Sequence, residues 1–487
     1  MKNWFGILCG VFFLLNGRTN AQFYALSNKP QLTQKKHFYH TVVGENQFGL
    51  YTVNYTNDYF AGGFSLEHYD RELGFQDDRV FNLPKQAYIL DMFLADTQIF
   101  WVSVIRKRRE PLRLYLNHIG LGLEGAVVSN FLGYLPIKHW NPDDIKFAYS
   151  KENGQWAVSV ISDVGGNQTA LWAQVRDLNG SLQRQYLDTL DERLAFVAFT
   201  HFGLGASKEV LGLLRALKPR SVFNSQQKEQ QVFVFRGSEV ESGFREWRLA
   251  AQVQSAEMVY DAFLSRWVLC ALVGDGQREC TGYSLWWLAD AQTGYQQYDG
   301  LFTDMQAKIL DGDMRAKKRR NPMNYVIRRV VPQQDGGGVL LLERYIELKQ
   351  LETFYINGIP QTATKVLYNY NEIGALFFDS SGICDTILRV NKEQTAAPAT
   401  AYLLGFGSFV CENGVHLVYN DDISKNNEIK EVILRPDYAI EEHLLLNSDN
   451  FYNVVVPFDG IESEYCTFTL PLLRDKQWFW MQVKNRD

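Results

Sequence analysis

A strand that runs into an Asp- and Gly-containing turn recurs along the chain, and this repeat narrows the possible folds more than any other feature. It reads FSLEHYDRELG at 64–74, LWAQVRDLNG at 171–180, YSLWWLADAQTG at 283–294 and GALFFDSSG at 374–382. The turn aspartates are Asp70, Asp177, Asp290 and Asp379, at spacings of 107, 113 and 89 residues. Half of either longer spacing is slightly above the period of a four-stranded propeller blade. Segments 112–120 and 244–253 supply the intermediate copies. The third interval reads as one blade enlarged by an insertion, because 303–320 holds a helical stretch and a basic run. A final unit near 432–483 brings the count to about seven blades.

The intervening sequence suits this reading. Runs such as QIFWVSV at 98–104, QWAVSVIS at 155–162 and Gln477–Lys484 are β-branched and aromatic, and Gly, Asn and Asp bound them. Only 304–311 and 208–217 read as helices, so a βαβ fold is disfavoured. A lone four-stranded sheet cannot bury both faces, whereas radial stacking buries them between neighbours. Closure would pair a strand early in the chain with strands near the C-terminus. The expectation is an all-β chain forming a single β-propeller over 22–487. Two β-sandwich domains are the alternative, but no Pro/Gly/Ser-rich linker divides the halves.

The first 21 residues read as a secretory signal. Lys2 precedes the apolar run WFGILCGVFFLL at 4–15, and Thr19-Asn20-Ala21 places a small residue before Gln22. Cys9 lies too early in that run for a lipoprotein signal. No later run approaches the length of a membrane helix, so no transmembrane span is expected after cleavage. Cys270, Cys280, Cys384, Cys411 and Cys466 remain, an odd and sparse set that builds no disulfide scaffold. Cys270 and Cys280 flank a turn, where either a cross-strand disulfide or two buried thiols would fit.

Three segments resemble recurring blade phrases of poorly characterised, exported, β-propeller-like envelope proteins of Bacteroidota. NYVIRRVVPQQDGGGVLLLE at 324–343 has a strand, an Asp-Gly-Gly turn and a returning strand that ends in Glu343. Segment 368–389 (YNYNEIGALFFDSSGICDTILR) leads into Lys392-Glu393-Gln394, a Lys-x-Gln ending, and 407–421 is a third such phrase. The signal ending Asn-Ala-Gln has the same style. The resemblance covers the C-terminal third and carries over no catalytic residue. It implies an exported protein, periplasmic or outer-membrane-associated (alternatively extracellular), with scaffold roles in envelope assemblies.

Chemistry is thin. No CxxC, HExxH, GxSxG or P-loop appears, so no catalytic residue, metal or cofactor is assigned. SKENGQW at 150–156 echoes the structural Asp-box turn of sialidases. Asp335-Gly336-Gly337-Gly338 reads as a tight hairpin turn, and Glu343 as a satisfied buried carboxylate. Asn420-Asp421-Asp422 lacks a calcium-loop order, and His37 and His40 read as an exposed entry segment. A formal charge of -6 argues against nucleic acid. Two basic clusters stand out locally: Arg106, Lys107, Arg108, Arg109, and Arg315, Lys317, Lys318, Arg319, Arg320. Both suit an acidic partner or anionic lipid headgroups, and both also suit solvated loops. The expectation is a non-enzymatic binding module or scaffold with envelope protein partners. A carbohydrate-active propeller enzyme (glycoside hydrolase or lyase) or a glycan-binding protein is the alternative.

Overall fold

The computed structural model describes residues 24–27, 40–55, 63–95, 97–107, 110–136, 144–165, 168–190, 196–217, 230–239, 242–249, 252–274, 280–289, 295–303, 306, 309–310, 324–356, 359–423, 427–447, 452–463 and 466–484. Among these residues, antiparallel strands form eight sheets, each built on four strands. In chain order they span 40–82, 87–135, 145–190, 196–247, 252–301, 325–396, 406–447 and 453–484. They are called sheets one to eight below. The fold is a β-propeller. The early strand Tyr24–Leu26 completes sheet eight by pairing with Gln477–Lys484, Tyr24 opposite Val483 and Leu26 opposite Met481. This is the pairing between chain ends that the repeat requires.

Eight described sheets stand where about seven blades were expected. The marker phrase is the third strand of a sheet with its exit turn, at Gly63–Tyr69, Leu112–Gly120, Gln168–Asp177, Cys280–Ala289 and Ile359–Phe378. Sheet seven carries no such marker, because its third strand leaves through Arg435-Pro436-Asp437-Tyr438-Ala439, which lacks glycine. The expected final unit at 432–483 therefore runs from the third strand of sheet seven into sheet eight. In sheet four the supposed copy at 244–253 includes the fourth strand, Ser242–Trp247, while the third is Gln230–Gly237, which has no Asp.

The proposed helix at 208–217 is likewise a strand, Val210–Leu217, the second of its sheet. Val210, Leu211, Leu213 and Leu214 are fully buried. A strand covered on both faces gives a continuous apolar run whose periodicity does not exclude a helix. Within 304–311, the described residues Gln306, Ile309 and Leu310 are helical.

The chain clusters into two compact units: residues up to Thr52, 67–77 and from Phe406 onward, and residues 53–66 and 78–405. In the second unit, each core cluster is shared by consecutive sheets. Phe100, Val102 and Leu114 of sheet two pack with Trp156 and Val158 of sheet three. Leu171 and Val175 of sheet three pack with Val210 and Phe235 of sheet four. Trp247 of sheet four stacks on Trp286 of sheet five, with centroids 5.4 Å apart. Leu285 and Trp287 of sheet five pack with Leu340 and Leu376 of sheet six. In the first unit, Phe409 and Val418 of sheet seven meet Leu470 and Met481 of sheet eight. Val42, Leu50 and Tyr69 of sheet one meet Trp480 of sheet eight.

The marker turns share one hydrogen-bond pattern. Asp70 N–H donates to Gly74 O, and Asp177 and Asp379 N–H donate likewise to Ser181 and Ile383. The Asp70 carboxylate accepts from the N–H groups of Glu72 and Gly74, at 2.9 and 2.7 Å. Asp177 repeats this with Asn179 and Ser181. The fourth turn residue has positive φ, at 63° for Leu73, 81° for Gly180 and 90° for Gly382. Glycine takes this conformation without steric cost, which is why it marks the turns at Gly180 and Gly382. Asp335-Gly336-Gly337 forms a tight turn as expected, Gly336 N–H donating to Gln333 O. At 150–156 the Trp156 indole N–H donates to Asp177 O, a structural use.

Candidate interaction arm

The second and third strands of sheet six are 19 and 20 residues long, Gly338–Ile356 and Ile359–Phe378. They pair from Gly338 opposite Phe378 to Ile356 opposite Ile359. Their neighbours are much shorter. Tyr325–Pro332 covers only 338–344, Cys384–Val390 covers 373–378, and Gln394–Ala396 covers 368–370. Beyond these, the hairpin is a two-stranded arm whose outer edges pair with no described strand. Eleven residues, 346–356, span roughly 36 Å at strand rise. The sequence explains the extension. Ile346, Thr353, Tyr355, Thr362, Thr364 and Val366 favour strand, and the register leaves Asn357-Gly358 as a two-residue connection.

The arm has a rigid base. Fully buried Glu343 accepts from Lys392 Nζ and from Arg328 Nε, both at 2.7 Å. Lys392 also donates to Gln394 Oε1 at 2.9 Å and Tyr370 O at 3.0 Å. Gln394 Oε1 in turn accepts the Gly405 N–H at 2.8 Å. Burial pulls the Lys392 ammonium below its usual range, and the Glu343 charge opposes that pull. The Arg328 guanidinium lies 5.0 Å from the Tyr370 ring centre, and Tyr345 contacts Tyr370 edge-on at 5.1 Å. Glu343 and the Lys-x-Gln pair, which end the two blade phrases, thus meet where the arm leaves the sheet. Their agreement with the satisfied-carboxylate expectation is complete.

The arm is exposed, and its outer part is uncharged. Leu351 is 78% exposed, Tyr355 71% and Leu348 38%. From Thr353 to Thr364 no residue carries a charge. Lys365 and Glu352 close this stretch at 3.5 Å, and Lys349 pairs with Glu347 at 3.1 Å. Isolated two-stranded hairpins are marginal in water, so such an arm is suited to being covered by a partner. Sequence reasoning missed the arm. The Asn-Gly pair between alternating runs was the available signal.

The basic clusters are not brought to this arm by any described contact. Arg106 and Lys107 are exposed just after the strand Gln98–Ile105, and the Arg106 N–H donates to Gln86 O. Arg108, Arg109, Arg315, Lys317, Lys318, Arg319 and Arg320 lie outside the described residues, as do the signal segment and His37. His40 opens the first strand of sheet one. Asp421 is engaged by Lys430 at 3.2 Å. Cys270 and Cys280 are free, buried thiols rather than a disulfide, and Cys270 stands opposite Leu285 instead.

No family model matches this chain, and no curated protein does. Solved structures share distant similarity. Prolyl oligopeptidase B from Galerina marginata is 9% identical with a TM-score of 0.41, covering 90% of this chain and 56% of that one. The chain thus spans about half the length of that enzyme. A Bombyx mori GH32 beta-fructofuranosidase is 9% identical with a TM-score of 0.28, covering 95% of this chain and 93% of that one. A Synechocystis apocarotenoid oxygenase is 10% identical with a TM-score of 0.33, covering 94% of each chain.

Proposed function

We propose that the protein is an exported, non-enzymatic binding module, a scaffold component of an outer-membrane or periplasmic assembly that engages protein partners through the sheet-six arm. The observation that carries this reading is an arm whose two outer edges pair with no described strand and whose tip is exposed and uncharged, on a rigid ionic base. Lipid is a poor cover for it, because open sheet edges leave backbone groups that hydrocarbon cannot satisfy. A protein strand can satisfy them. The export signal and blade phrases support the compartment, and the basic clusters add an electrostatic surface for peripheral contact with acidic partners or anionic lipid.

A glycosidase would need two carboxylates facing one another across a sugar. Among the described residues, each buried carboxylate has a structural partner: Glu67 accepts from Tyr69 OH, and Glu209 pairs with Arg236, Asp261 with Arg266, Glu343 with Lys392 and Glu431 with His416. The test is excision of 349–366, joining Leu348 to Leu367 through Asn-Gly, followed by affinity purification from native membranes. Loss of co-eluting envelope proteins from a folded variant is expected. Retention of the full set would overturn the reading.

A further inference from the structure

The arm's two edges are chemically unequal. The edge of Ile359–Phe378 is guarded by Pro360, which has no N–H to give. The edge of Gly338–Ile356 pairs with no described strand from 346 to 356 and contains no proline. We infer that this open edge pairs, antiparallel and about a two-fold axis, with the same edge of a second copy of this chain. The inference rests on the reading of the arm as a docking element and names one occupant for it.

The register follows from symmetry. Opposed residues of an antiparallel pair share a face, so a two-fold pairing must set one residue opposite itself. Only Leu351 at the axis uses all eleven positions from 346 to 356. It is also more exposed than any other large hydrophobic side chain described. In this register Leu351 faces its copy, Leu348 faces Phe354, and Ile346 faces Ile356. Lys349 faces Thr353, Glu352 faces Gln350, and Glu347 faces Tyr355. No like charges are opposed, and two apolar pairings recur on either side of the Leu351 pair at the axis. Centring on Lys349 would oppose two ammonium groups, and centring on Gln350 would leave Tyr355 and Ile356 unpaired. An edge whose apolar residues meet apolar residues, and whose charges meet none of like sign, when it pairs with itself is matched by a second copy of that edge.

Sedimentation of the purified mature chain across a concentration series tests this. The wild type should shift from monomer to dimer. Leu351→Lys, which sets two cations on the axis, should weaken the dimer by about tenfold or more with unchanged circular dichroism. Leu351→Cys should be joined to its copy by a short bis-maleimide. Ile346→Cys should not, because its copy lies about 33 Å away in this register. A wild type that stays monomeric to high micromolar concentration, or equal cross-linking of both cysteine variants, would overturn the inference. Loss of envelope partners on arm excision, with a monomeric wild type, would remove the dimer and leave the scaffold reading. A Leu351-dependent dimer with unchanged co-purification would do the reverse.

Discussion

Glu343 and Lys392 show what a propeller interior demands of a charge. Each side chain is fully buried, and the pair is 49 positions apart in sequence. Breaking such a pair leaves an uncompensated ion, so Lys392→Met should cost about 3 kcal/mol or more in denaturant unfolding. Adding Glu343→Leu should restore much of that loss, because no charge then remains buried. Sequence reading identified Glu343 as buried but could not see its partners, since spacing carries no information on contacts between distant strands. The thiols carry a second consequence. Burial pushes Cys280 up to about 12 and raises Cys270 as well. An unfolded thiol ionises near ~8.5. A pKa raised in the fold means that its stabilisation is complete below the unfolded value and is lost as pH rises toward the folded one. Urea midpoints should therefore fall between about pH 8.5 and pH 12, and Cys280→Ala should flatten that fall. An equal slope in wild type and variant would exclude this thiol as a contributor.

Turns and strands were unequally legible for physical reasons. Where an Asp side chain caps a turn and glycine supplies positive φ, the sequence announces the element. At Tyr438 the same kind of turn is held by a tyrosine at φ 68°, and the signal disappears. Tyr438 is 43% exposed, so its strain is not offset by deep packing. Tyr438→Gly should thus stabilise the protein by up to about 1 kcal/mol, read as a higher denaturant midpoint with unchanged slope. A lower midpoint would mean that the ring's contacts outweigh the strain. Asp177 offers the converse test. Its carboxylate accepts two backbone N–H groups and the Gln183 amide at 3.0 Å. Asp177→Ala should cost about 1–2 kcal/mol, an exposed site tempering the loss. Val210–Leu217 was misread because burial on both faces erases alternation, and the arm was overlooked because its strands outrun the sheet that anchors them.

The number of sheets and the tying of the ends belong to the molecule as a whole. The repeat revealed the architecture, and one unmarked sheet hid the count. Tyr24–Leu26 is only three residues long, yet it is the fourth strand of sheet eight. Just beyond it, Ser27 N–H donates to Trp480 O, and Trp480 N–H donates to Ser27 Oγ, both at 2.9 Å. Tyr24 and Leu26 pack against the cluster containing Met481 and Val483. Without this strand, Gln477–Lys484 becomes an open edge, and apolar side chains beneath it meet water. A chain beginning at Asn28 should therefore lose about 2–4 kcal/mol, from two half-buried apolar side chains and several backbone hydrogen bonds. Ser27→Ala alone should cost about 1 kcal/mol. Both are read from denaturant unfolding of the mature protein. If the shortened chain unfolds at the wild-type midpoint, the early strand is an ornament of sheet eight, and the tie between the chain's ends contributes nothing to its stability.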